Sequence, residues 1–354
     1  LWQNQRAISL LIALFFVGPV LKFLFARAFV LVFHTALVKN SYYRQMTQQN
    51  KNWSEYWRNE GIEGEVFVNK QGGKHPFLAE YWQKLFLIQK PDASVIDIAA
   101  GAGSIFSHLP TDHQFKLHAA DISAPALELL KQRIPATTVH VCPATELPLA
   151  DNSFDFVVSQ FGVEYAGMDA FEEAARLVKP GGQLALLCHY QNGYIDSKNQ
   201  QMLEAAKIAR YSNFIPDAEA LIVLAFDKSR TSSMSDALTE QNNFAASQRT
   251  LEQAIKHCPE GVHAHLYFGF KQLYERRSAY DLNDVTGWLE EMSADIDRNI
   301  MRLTEMCHAA SSKLEIERIA QTLNEHGFIG IEHEPVVLPE HKLPVAWAIN
   351  AFKV

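Results

Sequence analysis

This sequence has little that suggests a covalent or metal framework. Its four cysteines (Cys142, Cys188, Cys258 and Cys307) lie far apart with no CxxC pair, which excludes a disulfide scaffold and a zinc-ribbon spacing. They read as small core residues of a reducing compartment, so a cytoplasmic location is the expectation. No His/Cys/Asp cluster has metal-ligand spacing, and no metal is expected. Positive charge is also sparse: 32 Lys and Arg stand against 40 Asp and Glu, a formal net charge of -8, with no long basic block. A broad nucleic-acid footprint is therefore not expected. No glycine turn leads into the lysine-serine pair that nucleoside triphosphates require. Internal repeats and low-complexity blocks are absent.

An apolar run long enough to span a bilayer is missing as well. Residues 7–21 form an uncharged, mostly apolar run; after Lys22 a second covers residues 23–38, interrupted by Arg27 and His34. Each falls short of the roughly 20 apolar residues a spanning helix needs, and the intervening charges make one continuous span costly. No small-residue cleavage site marks a secretory signal. Two expectations stand for residues 1–45. The favoured one is a mis-assigned upstream start, because residue 1 is Leu and Met46 opens an ordinary polar segment. The other is an interfacial anchor, with membrane contact only through residues 7–38.

What is present is an ordinary globular composition, 48% apolar and 20% charged, long enough for one large or two modest domains. Residues 52–87 carry aromatics at helical spacing (Trp53, Tyr56, Trp57, Phe77, Tyr81, Trp82, Phe86) around a loop at 61–73. Such a stripe is read first as packing and second as the cover of a ligand. From Pro91 to Tyr190 short apolar strands alternate with helices. Strands are expected at Ser94–Ala99, Phe115–Ala120, Thr137–Cys142, Phe154–Gln160 and Gln183–Tyr190, and helices at Ile105–Leu109, Pro125–Arg133 and Ala170–Leu177. Alternation of this kind implies a parallel sheet with right-handed crossovers and a ligand at the carboxyl ends of the strands.

The residues at those ends carry the chemistry. Val95 to Ile98 is an apolar run holding one charge, Asp97, and it breaks into a turn at Gly101 and Gly103, which allow tight backbone angles and close ligand approach. Asp121 ends the second strand, where a carboxylate can accept both hydroxyls of a ribose and can also N-cap the helix starting at Pro125. Ile122 offers an apolar surface to a base. A helix ending at Lys179-Pro180-Gly181-Gly182 is expected to be stopped by Pro180 and punctuated by the two glycines.

Taken in order, these elements resemble the class I S-adenosylmethionine-dependent methyltransferase family, of the small-molecule type. The family signature D-x-G-x-G-x-G reads here Asp97-Ile98-Ala99-Ala100-Gly101-Ala102-Gly103, with alanine at the first glycine. Leu147-Pro148, Phe154-Asp155 and Lys179 to Gly182 match in order and spacing. The resemblance implies a Rossmann-like, doubly wound α/β fold: a seven-stranded sheet with an antiparallel last strand placed between strands five and six. It implies S-adenosyl-L-methionine as cofactor, its amino group on Asp97, its ribose on Asp121 and its adenine on Ile122. Ala99, Gly101, Gly103, Ala144, Thr145 and Gln160 complete the implied cofactor surface. Where the family often has Asp-Ala, this chain has Pro143-Ala144, so adenine N6 falls to Thr145, Glu146 or a backbone group. A nicotinamide-binding protein fits less well, because Phe106 stands where that fingerprint wants a third small residue.

The expected core is therefore residues 46–190 and 325–354, with a helical insertion at 191–324 before the final two strands. Helices are expected at Lys198–Arg210, Ala218–Asp227, Ser247–His257, Asp284–Ala310 and Lys313–Leu323, separated by polar stretches such as Ser229–Ser235 and Glu240–Ser247. The insertion reads equally as a substrate lid and as a packing module through which a homodimer would form. Two runs, Phe328–Val337 and Val345–Phe352, read as a closing hairpin. Methyl transfer needs a base only if the acceptor must lose a proton. His189 is the first candidate, since an unperturbed imidazole titrates near neutrality; Glu164, Tyr165 and Tyr190 follow. The expected acceptor is a small or medium-sized apolar or amphipathic molecule. The alternatives are a cofactor-binding protein without transferase activity and a methyltransferase acting on protein or RNA.

Overall fold

The computed structural model describes residues 50–51, 53–58, 75–226 and 234–354. The chain divides into two units, Leu1–Lys51 and Asn52–Val354, and the second holds the sheet and its helices. The apolar runs of residues 7–38, Met46, the loop at 61–73 and most of the polar stretch Ser229–Ser235 lie outside the described residues. Among the described residues no helix is long and apolar enough to cross a membrane.

Seven strands form one sheet in the order β3-β2-β1-β4-β5-β7-β6. They are β1 (Ser94–Ile98), β2 (Lys116–Asp121), β3 (Thr138–Val141), β4 (Phe154–Gln160), β5 (Val178–His189), β6 (Phe328–Val336) and β7 (Ala346–Lys353). The first five pair in parallel, and β7 runs antiparallel to both β5 and β6. The strand order reverses between β1 and β4, which opens a crevice at the carboxyl edge of the sheet. This is the expected topology, including the closing hairpin.

Both faces are covered, as near-continuous apolar strands require. On one face α1 (Pro76–Leu87) and α2 (Ala124–Arg133) pack Leu78, Trp82, Phe86, Leu127 and Leu130 against Val95, Phe156, Val158 and Leu187. On the other, α3 (Met168–Leu177) and α9 (Lys313–Glu325) pack against Ile96, Ile98, Val157, Leu184 and Leu186. Odd-numbered residues of β1 and β5 share the first face, so Asp97 and His189 point to the same side.

The Phe154-Asp155 and Lys179-Pro180 elements meet at the amino edge. Asp155 Oδ2 accepts from Ser94 N at 2.9 Å, Ser94 Oγ at 2.7 Å and Lys179 Nζ at 2.8 Å, tying β1, β4 and β5 together. Burial works to raise this carboxyl, but the hydrogen bonds from Lys179 and Ser94 outweigh it and hold it at about 2. The Lys179 to Gly182 segment belongs to β5 itself. α3 ends at Leu177, and Gly181 (φ +77°) absorbs the register shift where β5 joins Phe154 and Phe156. The glycines thus shape a strand start, where a helix stop was expected.

Among the described residues five helices separate β5 from the last helix: α4 (Tyr194–Tyr211), α5 (Phe214–Phe226), α6 (Met234–His257), α7 (Val262–Glu275) and α8 (Leu282–Ala309). They share a core of their own around Phe214, Ile222, Leu251, Phe270, Leu289 and Ile296. α6 runs straight through the polar stretch Glu240–Ser247, which was expected as a separator. α7, carrying Leu266 and Phe270, had no counterpart among the expected helices. α8 buries Val285, Leu289, Met292, Ile296, Leu303 and Met306 at helical spacing, and Asp281 with Asp284 forms a capping box at its start.

Candidate active site

The turn after β1 takes three left-handed residues in alternation: Ala99 (φ +55°), Gly101 (+52°) and Gly103 (+84°). An alanine in this region costs about 1 kcal/mol or more, and its Cβ also needs room. Gly162, just past β4, supplies it: a Cβ there would stand 2.7 Å from the Ala99 Cβ. The alanine in the first motif position is therefore matched by a glycine sixty-three positions on (99 to 162). A Cβ on Gly103 would lie 2.8 Å from Leu130 Cγ, so this glycine lets α2 approach the turn. On Gly101 the same atom would fall 2.4 Å from Trp57 Cζ2. Here the close approach expected of a ligand is made by the chain's own indole.

Asp121 holds this turn. Its Oδ2 accepts from Gly101 N and its Oδ1 from Ser123 N, both at 2.8 Å. Helical residues 53–58 touch the same two partners, through Trp57 over Gly101 and through Ser54 Oγ, 3.3 Å from Ser123 Oγ. Ser123 is the N-cap of α2, its hydroxyl accepting from Ala126 N, so Asp121 is free of that duty. Burial raises the Asp121 carboxyl, against three backbone hydrogen bonds that lower it.

Asp97 is 1% exposed, and its Oδ1 has no hydrogen-bond partner. Burial first, then the neighbouring Asp121 charge, holds its carboxyl well above the ordinary range. A buried acid with an open oxygen is costly to the fold and marks a site that waits for a cation or donor.

At the far side of the crevice a 3-10 turn, Val163–Ala166, places Glu164 against the end of β5. Glu164 Oε1 lies 2.8 Å from His189 Nδ1 and 3.0 Å from His189 N. Phe161 and Tyr165 flank the imidazole, with centroids at 4.6 and 5.8 Å. Trp53 meets Tyr165 edge-on at 5.3 Å, and Arg302 of α8 lies over the Tyr56 ring at 5.0 Å. The aromatics of residues 53–57 thus bridge the glycine turn and the His189 side. Burial, then Glu164, pushes the Tyr165 phenol well above its usual value, so it serves as a donor and not as a base.

Residues 96–186 match the methyltransferase domain family. Over this stretch the chain is similar to that family. It is similar to a ubiquinone/menaquinone biosynthesis C-methyltransferase of Geotalea daltonii, 28% identical over 30% of this chain and 51% of the relative. A demethylmenaquinone methyltransferase of Renibacterium salmoninarum is 38% identical over 27% of this chain and 41% of its own length. A Bos taurus protein named "Probable tRNA methyltransferase 9B" is 30% identical over 34% of this chain and 26% of that protein. The chain thus spans about half, or less, of the length of these relatives.

The methyltransferase domain fits the family's cofactor, S-adenosylmethionine, on its own chemistry. Asp97 Oδ1 is an orphaned acceptor of the kind an ammonium group satisfies. Three backbone N–H groups hold the Asp121 carboxylate, whose roughly four lone-pair sites leave room for a ribose hydroxyl. Ile122, Ala144 and Thr145 follow β2 and β3 at the same edge, each half-buried. Gln160 stands apart from this set. Its Oε1 accepts from Trp82 Nε1 at 2.5 Å and its Nε2 donates to Ser104 Oγ at 2.9 Å, so its amide is engaged by the protein. Among the candidate bases the domain brings His189 and Glu164 together and sends Tyr190 to the opposite face, stacked on Trp347 at 4.5 Å. The contacts of Trp57 and Gly162 had no sequence signal beyond residue type, because each depends on chain separated by tens of residues.

Proposed function

We propose that this protein transfers the methyl group of S-adenosylmethionine to a small-molecule acceptor held between the glycine turn and the helices that follow β5. The cofactor supplies a methyl carbon already activated by its sulfonium. Asp97 binds the amino group, Asp121 the ribose, and Trp57 with Gly101 fixes the turn that presents them. His189 Nε2 removes the acceptor's proton while Glu164 holds the ring in the tautomer that leaves this nitrogen bare. The acceptor nucleophile is aligned with the methyl group, and the surrounding aromatics exclude water.

The observation that carries this reading is the buried Glu164–His189 pair on the same sheet face as Asp97, with Nε2 open. A tRNA-sized acceptor would need an exposed reacting end, whereas His189 is 1% exposed. The net charge of -8 also disfavours RNA. The experiment is incubation with methyl-labelled S-adenosylmethionine and, separately, a small-metabolite fraction, tRNA and protein. Label in the small-metabolite arm alone supports the reading, and label in tRNA or protein alone contradicts it.

A further inference from the structure

The open hydrogen-bonding atoms around the end of β5 are nearly all of one sense. Glu164 Oε1 receives both His189 N and His189 Nδ1, while Oε2 is buried without a partner. A carboxylate oxygen only accepts, so Nδ1 carries the proton and Nε2 is a bare lone pair. That nitrogen too is buried with no partner. α4 begins five residues beyond His189 and adds Asp196. Its Oδ2 accepts from Asn192 N at 2.7 Å and Gln200 Nε2 at 2.9 Å, and its Oδ1 is buried without a hydrogen bond. One turn along the same helix face, Asn199 Nδ2 is buried and open. Glu164 and Asn199 are 7% exposed, His189 and Asp196 1%.

These groups belong to one neighbourhood. Tyr165, which follows Glu164, packs in a single apolar cluster with Met202 and Leu203 of α4 and with Leu303, Met306 and Cys307 of α8. Cys307 hydrogen-bonds to Asp196: burial first, then the charge of that carboxylate and the hydrogen bond to it, against Lys207, pushes its thiol up to about 11. It stays protonated and is only a weak donor. The seam between the 3-10 turn, β5, α4 and α8 therefore holds three open strong acceptors, two of them on carboxylates, and one open amide donor, while Arg302 and Glu305 of α8 also act on Tyr165. Buried polar atoms left open in this way call for a partner.

Resting on the methyl-transfer reading, we infer that the acceptor is an amine, bound through the N–H groups of its ammonium form to Asp196, with Asn199 donating to an oxygen or other lone pair on the same molecule. An anionic acceptor would meet two carboxylates, and a phenol or alcohol brings a single donor. Chemically the step closes: the ammonium gives one proton to His189 Nε2, and the freed nitrogen lone pair bonds the methyl carbon. The carbon–sulfur bond breaks with its electron pair passing to sulfur. The products are the methylated ammonium and the neutral thioether. An amine narrows the small or medium-sized amphipathic acceptor expected from sequence.

The test uses the full chain with S-adenosylmethionine and matched probes: propylamine, ethanolamine and benzylamine against propanol, phenol and benzoate. Product mass and the melting temperature with the demethylated cofactor are both read. Amines should gain a methyl group and raise the melting temperature, and the other probes should do neither. Asp196→Asn should raise KM for the amine roughly ten- to a hundredfold, the loss of one charge-assisted bond, with cofactor affinity unchanged. Asn199→Leu guards against misfolding of the first variant: it breaks no bond in the fold, so it should keep the melting temperature and still raise KM. Methylation of phenol or benzoate in preference to amines would overturn the proposal. So would wild-type protein that binds the demethylated cofactor yet ignores every amine by both readouts, or an unchanged KM in both variants. Failure of the wild-type protein to bind the demethylated cofactor would overturn the methyl-transfer reading itself.

Discussion

Glu164 Oε1 contacts both the backbone nitrogen and Nδ1 of His189, at 3.0 and 2.8 Å. One carboxylate oxygen thereby fixes the ring's position, its tautomer and the direction of its open nitrogen. Removing the imidazole (His189→Ala) should lower kcat by roughly a hundredfold or more, the usual contribution of a positioned base. Affinity for the cofactor should stay within about twofold, since the pair contacts each other, Phe161 and Tyr165 and hydrogen-bonds to neither Asp97 nor Asp121. Glu164→Gln should produce a smaller kcat loss in the same direction. Steady-state kinetics beside calorimetry checks both, and a fully active His189→Ala would make the pair structural.

Asp121 serves the fold and the cofactor together, because its oxygens bind the backbone N–H groups of Gly101, Ser123 and Ile122. Asp121→Ala leaves Gly101 N and Ser123 N without acceptors, at about 1–3 kcal/mol. It also removes the ribose contacts, so cofactor affinity should fall by roughly ten- to a hundredfold. Asp121→Asn should recover much of the stability and little of the affinity. Denaturant melts and titration calorimetry on the pair of variants separate the two roles.

The raised Asp97 carboxyl gives a pH dependence with a definite sign. Its folded value lies above its unfolded one, so the folded state binds more protons and stability falls as pH rises from about 4 towards that value. Asp97→Asn should therefore stabilise the free protein at neutral pH and flatten this slope, while weakening cofactor binding. In the wild-type protein an ammonium group beside Asp97 favours ionisation. Binding should release protons, measurable as a binding heat that changes with the ionisation heat of the buffer.

Trp57 and Gly101 should be energetically coupled. Gly101→Ala drives a methyl group into the Trp57 ring at 2.4 Å and should cost about 1–3 kcal/mol as overpacking. Trp57→Ala should destabilise on its own by opening a cavity. The double variant should lose less than the sum, with a coupling of about 0.5 kcal/mol or more. Strict additivity in denaturant melts would show that the two do not pack in solution.

Much of this was legible because strand ends carry their chemistry in the local sequence. Asp97, Gly101 and Asp121 are fixed by the alternation of β1, turn and β2. The Lys179 and Asp155 elements could be matched by spacing, although only the fold shows that they share one hydrogen-bonded knot with Ser94. Tertiary packing decided the rest. The fit of Ala99 against Gly162 joins the ends of β1 and β4. α6 persists through Glu240–Ser247 because its residues further along, such as Leu251, enter a core that a polar window does not reveal. Tyr190 and His189 are neighbours in sequence and opposites in space, since a strand alternates its faces.

The turn from Asp97 to Gly103, with Asp121, is proposed to hold S-adenosylmethionine. Calorimetric titration of the protein with the demethylated cofactor, and separately with a nicotinamide dinucleotide, tests it most directly. The demethylated cofactor should bind saturably, more weakly to Asp97→Asn and Asp121→Ala, and the nicotinamide dinucleotide should give no heat. Tight nicotinamide binding with no response to the demethylated cofactor would contradict it.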